Sequence, residues 1–123
     1  MKKIKLQVND HCFDAVLYDT PAGQEIWNTL PIHSRGNVWG EEIYFSIGAK
    51  VKMENGREVV EEGDLGFWPP GSAFCIFYGL TPMSTPDEIR PASAVEVVGK
   101  ITDDFRVLKL LKSSPNVIIT RNE

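Results

Sequence analysis

Apolar and polar residues alternate from the start of the chain. Ile4, Leu6 and Val8 share one face of an extended segment, Lys5 and Gln7 take the other, and after Asn9-Asp10 the alternation resumes at Phe13, Ala15 and Leu17. A period of two on either side of a turn pair predicts an opening β-hairpin. The period then changes. Thr20-Pro21 supplies an N-cap and a first-turn proline, Ile26, Trp27 and Leu30 fall on one helical face, and Pro31 stops the run, so a short amphipathic helix is expected over 21–30. Two strands are expected between Ile32 and Val51, broken around Gly36 and Gly40. The clearer of them is Glu42-Ile43-Tyr44-Phe45-Ser46-Ile47, rich in β-branched and aromatic residues. Asn55-Gly56 suits the positive φ angles of a type I′ turn and predicts that residues 47–53 pair with 57–61.

Further on, Gly63 to Gly79 reads as two apolar strands flanking a rigid Pro69-Pro70-Gly71 turn. The three prolines between Thr81 and Pro91 leave no period, and that stretch reads as a long surface loop, a lid or a connector. Val95 to Ile101 is a strand. Thr102-Asp103-Asp104 caps a second expected helix with Phe105, Leu108 and Leu111 on one face and Lys109 and Lys112 towards its end, and Val117-Ile118-Ile119 closes the chain as a strand. Roughly eight short strands and two helices make a mainly β fold, a closed antiparallel barrel with a helix over each open end; closure removes the sheet edges that invite aggregation. An open β-sandwich would not account for two capped helices near opposite ends of the chain. No repeat or linker divides the sequence, so residues 1–123 are read as one domain.

With 42% apolar and 24% charged residues, 123 residues are enough to bury a core without disulfides or metals. Thirteen basic against 17 acidic residues give a net charge of −4, and the cations are scattered, which argues against a nucleic-acid partner. Polar residues interrupt the basic start before any signal-like apolar run, and no stretch approaches the ~20 apolar residues of a spanning helix. A cytoplasmic protein with no membrane partner is expected. Cys12 and Cys75 form no Cys-x-x-Cys pair and are read as small buried apolar residues, and His11 and His33 lack ligand spacing, so neither a metal nor a cofactor is expected.

Three stretches carry a family likeness. Gly71-Ser72-Ala73-Phe74-Cys75-Ile76 resembles the Gly-Ser-Gln-Phe-Phe-Ile of the cyclophilins, Val97-Val98-Gly99-Lys100-Ile101 resembles their Val-Phe-Gly-Lys-Val, and Gly63 to Trp68 stands where they have Gly-x-Leu-Ser-Met-Ala. The whole chain looks most like a short bacterial and archaeal branch of cyclophilin-like proteins with Trp-Gly-x-Glu-Ile-Tyr-Phe and Trp-Pro-Pro-Gly motifs, here at 39–45 and 68–71. The resemblance implies an eight-stranded barrel with two capping helices and points to peptidyl-prolyl isomerisation. That reaction faces a barrier of about 20 kcal/mol and is catalysed by an apolar seat for the proline ring and a charged donor, an arginine in the family.

Those residues are replaced here. Ser46 stands where the arginine belongs, with Arg35 and Arg57 outside that strand; Ala73 and Cys75 replace a glutamine and the phenylalanine flooring the proline pocket; Val95 replaces a histidine; and Trp68 replaces a small alanine. The family's glutamine on the next strand also has no counterpart. Losing the charged donor alone is worth about 2.7–4 kcal/mol of barrier lowering. No catalytic residue is therefore assigned. The reading that follows is a binding module for a proline-containing peptide or a small molecule, in a groove lined by Tyr44, Ser46, Trp68, Ala73, Cys75 and Phe77, with Phe74 and Ile76 turned into the core. A weak isomerase is the alternative. A third reading is a module of a carboxylase or amidase system, with carboxylates drawn from Glu41, Glu42, Glu61, Glu62 and Asp64, although at strand ends and turns such groups are expected to be solvated.

Overall fold

The alternating segments at the start of the chain form strands β1 (Lys2–Val8) and β2 (His11–Leu17) in the computed structural model, which describes residues 1–123. Val8 pairs with His11 across the Asn9-Asp10 turn, and Asn9 takes the positive φ of 53° that asparagine tolerates better than most residues. Ile4, Leu6 and Val8 face the core with Phe13, Ala15 and Leu17. Helix α1 (Pro21–Thr29) follows as expected. Its cap is Thr20, whose hydroxyl accepts the Gly23 amide at 3.1 Å, and Ile26 is the fully buried anchor of its inner face. A Cβ on Gly23 would stand 2.0 Å from the Tyr18 carbonyl, so glycine is what lets the helix lie against β2.

The remaining strands are β3 (Ile32–Arg35), β4 (Asn37–Val38), β5 (Glu42–Ser46), β6 (Asp64–Trp68), β7 (Ala73–Phe77), β8 (Glu96–Ile101) and β9 (Asn116–Arg121). All pair antiparallel in one sheet of order β3-β9-β1-β2-β8-β6-β7-β5-β4. The two end strands, β3 and β4, are consecutive in the chain with only Gly36 between them. The sheet thus curls into a nearly closed barrel. Where β6 meets β8 the register shifts between Leu65 and Gly66, the bend expected of a β-bulge in a closing sheet. A continuous core of Ile, Leu, Val and Phe side chains fills the interior.

Nine strands and one α-helix replace the expected eight strands and two helices. The second expected helix is a single 3-10 turn, Arg106–Leu110, in which Leu108 donates to the Phe105 carbonyl and Leu111 to the Leu108 carbonyl. Too few residues lie between Asp104 and Ser113-Ser114-Pro115 to repay helix nucleation. Asp104 also caps the turn, accepting the Arg106 amide at 3.0 Å and its guanidinium at 2.6 Å. Leu108 still plugs the barrel end, with Phe105, Val107 and Leu111 packed around it. Cys12 is exposed, not buried, because it precedes Phe13 in a strand of period two and so points outward; Cys75 is buried.

The hairpin expected around Asn55-Gly56 does not form. Residues 47–53 and 57–61 make no ladder with one another, and β5 is flanked by β4 and β7. The segment after β5 crosses the outside of the barrel instead, touching down as single bridges at Arg57–Val95 and Val60–Ile89. The intended turn is held by Glu96, a buried residue of β8 whose carboxylate accepts the amides of Glu54 at 2.8 Å and Asn55 at 2.9 Å. Hydrogen bonds to a charged group are worth about 1.5–3 kcal/mol each. Glu96→Ala removes both and is expected to lower unfolding stability by at least about 3 kcal/mol and to accelerate hydrogen exchange at the Glu54 and Asn55 amides; unchanged exchange there would show that Glu96 does not hold this crossing.

Candidate functional site

Side chains of β5 and β7 divide cleanly between the two faces of the sheet. Ile43, Phe45, Phe74 and Ile76 enter the barrel core, whereas Ala73, Cys75 and Phe77 point the other way and build a second apolar cluster with Val60, Ile89 and Val95 from the two excursions crossing the outside of the barrel. Tyr44, Trp68 and Val97 pack on this outer cluster. The pleat accounts for the division, since Tyr44 lies opposite Cys75 and Ser46 opposite Ala73 in the ladder.

The β4–β5 hairpin sets the upper wall. Trp39 and Glu42 exchange both backbone hydrogen bonds, Trp39 donating at 2.9 Å and Glu42 at 3.2 Å, so the connection is the two residues Gly40-Glu41. Gly40 has a φ of +60°, and a Cβ there would meet the backbone of Leu80 and Thr81 at 2.9 Å. Glycine is required on both counts. Directly opposed residues in an antiparallel pair share a face, and side chains two apart on one strand do likewise. Trp39, Glu42 and Tyr44 therefore project together from this hairpin.

They meet Trp68, Pro91, Ala92 and Val95 around a pocket of about 270 Å³. Trp68 sits at the end of β6, its Nε1 donating to the Ser93 hydroxyl at 2.7 Å, which ties the ring to the 91–93 wall. The expected 81–91 loop leads into that wall and has its own ties. The Ser84 hydroxyl accepts the amides of Thr81 and Arg90, each at 2.9 Å, and the Thr81 hydroxyl donates to the Arg90 carbonyl. These bonds hold the loop ends together and deliver Pro91 to the pocket.

Of the six residues named from the sequence, Tyr44 and Trp68 line the pocket. Ala73, Cys75 and Phe77 lie on the same face but are buried in the outer cluster, and Ser46 is exposed, donating to the Gly71 carbonyl at 2.9 Å. Trp39, Glu42, Pro91, Ala92 and Val95 complete the lining. The motif Trp39-Gly40-x-Glu42-x-Tyr44 held the missing signal: a glycine in a two-residue turn places the flanking tryptophan and glutamate side by side.

Glu42 is the unusual member. It is only 5% exposed, and its Oε1 is buried without a hydrogen-bond partner. Burial pushes the carboxyl up to about 7, with the neighbouring Cys75 thiol pulling weakly the other way, and the Cys75 thiol is itself raised by burial and by Glu42. The other carboxylates named from the sequence are placed differently. Glu61 and Glu62 are exposed, Glu62 pairing with Lys109 at 3.4 Å, and Asp64, raised by burial, accepts the Glu61 amide at 2.9 Å. No group of three or more His, Cys, Asp or Glu side chains is gathered as a metal site would require. No helix is long and apolar enough to cross a membrane.

Residues 2–120 match the family model described as Cyclophilin-like. The chain belongs to the cyclophilin-like family. Its fold is similar to the solution structure of the hypothetical protein AF2241 from Archaeoglobus fulgidus, with 38% sequence identity and a TM-score of 0.81 over 98% of this chain and 94% of that one. A more distant likeness is to McbB, solved in complex with tryptophan, at 15% identity and a TM-score of 0.68; the match covers 97% of this chain but 44% of that one and concerns the fold alone. No protein of curated function matches the sequence.

Proposed function

We propose that this cyclophilin-like barrel is a binding module that seats one small, largely apolar group, either a free small molecule or a single side chain of a peptide, and that it is not an efficient prolyl isomerase. The observation that carries the reading is the pocket on the outer face of β5 and β7, walled by Trp39, Tyr44 and Trp68 and containing one buried carboxyl. At about 270 Å³ it falls just below the ~300–1,000 Å³ of drug-sized ligand sites, the size for one small group, and its lining has the usual character of such sites, apolar walls with few polar groups. None of the five arginines lines it, so no guanidinium is at hand to stabilise a twisting amide. A second reading rests on Glu42, because a carboxyl titrating near neutrality in an apolar pocket suits general acid–base work, as in a module of a carboxylase or amidase system.

The test is an NMR titration with a short X-Pro peptide and, separately, with indole as a neutral ring. Shift changes are expected around Trp39, Tyr44 and Trp68 with at least one probe. They should be lost in Trp68→Ala, with no catalysed cis/trans exchange of the peptide. Exchange that scales with protein concentration would replace the binding reading with isomerisation, and silence with both probes would remove the pocket from consideration as a site for such groups.

A further inference from the structure

The pocket reading leaves one chemical question, namely what satisfies Glu42. Its Oε1 has no hydrogen-bond partner within the protein, the side chain is only 5% exposed, and the residue lines an open pocket, so a positive charge placed in that pocket would complement it. The remaining walls are the faces and edges of two tryptophans and a tyrosine, together with Pro91, Ala92 and Val95. Aromatic faces attract cations, and an aromatic enclosure joined to a carboxylate is suited to a positive charge dressed in carbon.

We propose that the pocket receives an organic cation, an alkylated ammonium group, with Trp39, Tyr44 and Trp68 as its walls and Glu42 as its counter-ion. This deepens the binding reading and rests on it. Alkylation follows from where the acceptors lie. A primary ammonium brings three N–H donors, whereas the acceptors among the lining side chains, the Glu42 carboxyl and the Tyr44 phenol oxygen, both come from β5, and the other walls, Trp39, Trp68, Pro91, Ala92 and Val95, offer its donors no side-chain acceptor. A tertiary ammonium brings one donor and a quaternary one none, so neither leaves several donors stranded against tryptophan and proline. An anion is disfavoured by the carboxylate itself, and the chain's net charge of −4 favours the approach of cations.

Occupancy by a cation requires Glu42 ionised, so binding should expel its proton. Among the groups facing this carboxyl, Cys75 from β7 is the titratable neighbour, Tyr44 is the phenol on its own strand, and the 91–95 wall contributes Pro91, Ala92 and Val95, which carry no charge. Because Glu42 titrates near 7, the affinity for a permanent cation should rise about tenfold from pH 6 to pH 8.

Choline, whose charge does not titrate, and its neutral isostere 3,3-dimethylbutan-1-ol are the probes, with binding followed by indole NMR shifts and calorimetry at both pH values. The expected result is choline binding at least about tenfold tighter than the isostere at pH 8, the tenfold rise with pH, and loss of both in Glu42→Gln. Equal binding of the two probes, or choline binding that ignores pH and Glu42→Gln, would overturn the cation assignment while leaving the apolar pocket as a site. Failure of both probes to perturb Trp39 or Trp68, with indole and the X-Pro peptide also silent, would overturn the binding reading as well; with either of those bound, the cation assignment alone falls.

Discussion

Glu42→Gln should remove a pH-dependent weakness worth about 3 kcal/mol from the folded protein. In the native chain burial holds the Glu42 carboxyl at about 7 against its ordinary 4.5, whereas in the unfolded chain it ionises normally. Between those two pH values the unfolded state has already released a proton that the folded state retains. Unfolding stability therefore falls as pH rises through this window, and the full loss is present above about 7, where both states are ionised. Below about 4.5 both are protonated and the contribution vanishes. An amide of the same shape cannot ionise, so the difference between variant and native unfolding free energies should grow in favour of the variant by about 3 kcal/mol from pH 4.5 to pH 8. Urea denaturation across that range measures it. A flat difference would mean that Glu42 is ionised in the fold at no cost, as a solvated carboxylate would be. A gain in stability where a ligand-facing residue is neutralised is also what a site kept for function predicts.

Phe74→Ala is expected to cost about 3–5 kcal/mol, a large share of the ~5–15 kcal/mol typical of a domain. Phe74 is fully buried on β7, opposite Phe45 of β5 and Phe67 of β6, so three adjacent strands place phenylalanines side by side in the barrel interior. Its ring lies 5.7 Å from that of Phe45, tilted by 33°. Truncation would leave a void bounded by β-strands locked into ladders on both sides, which limits collapse around it. The midpoint of urea denaturation reports the loss. A change below 1 kcal/mol would mean the barrel repacks freely, contrary to the fixed register of its strands.

What could be read from the chain follows from how local each signal is. The period of two in β1 and β2, the apolar run of β7 after the Pro69-Pro70-Gly71 turn and the Thr20-Pro21 cap act within a few residues, and those elements lie where the sequence places them. The split of Phe74 and Ile76 from Ala73, Cys75 and Phe77 was legible for the same reason, since a pleat needs no distant partner. The Asn55-Gly56 signal does not make a hairpin because the amides of Glu54 and Asn55 are taken by Glu96, 42 and 41 positions further along the chain, which no local rule connects to them. The second helix failed by length. Part of the site was hidden for a third reason: Pro91, Ala92 and Val95 reach the pocket through long-range ties, the Thr81, Ser84 and Arg90 hydrogen bonds that fold their loop back and the bridge from Val95 to Arg57. Glu42 looked like a solvated strand end until the hairpin turned it towards Trp39.

Gly36 links the two ends of the sheet, and its surroundings say how the barrel keeps its girth. A Cβ added there would crowd the Ile43 Cγ2 methyl on β5 at 2.6 Å and touch Val117 on β9 at 3.5 Å, strands that belong to opposite margins of the sheet. The circumference is thus fastened at one point by a clasp no wider than a backbone. The inside of that clasp is the same β5 whose outer side presents Tyr44 and Glu42. A residue bulkier than glycine would have to displace Ile43, the β5 neighbour of Glu42 and Tyr44 on the opposite face, so packing at this seam is felt by the strand that presents both pocket side chains.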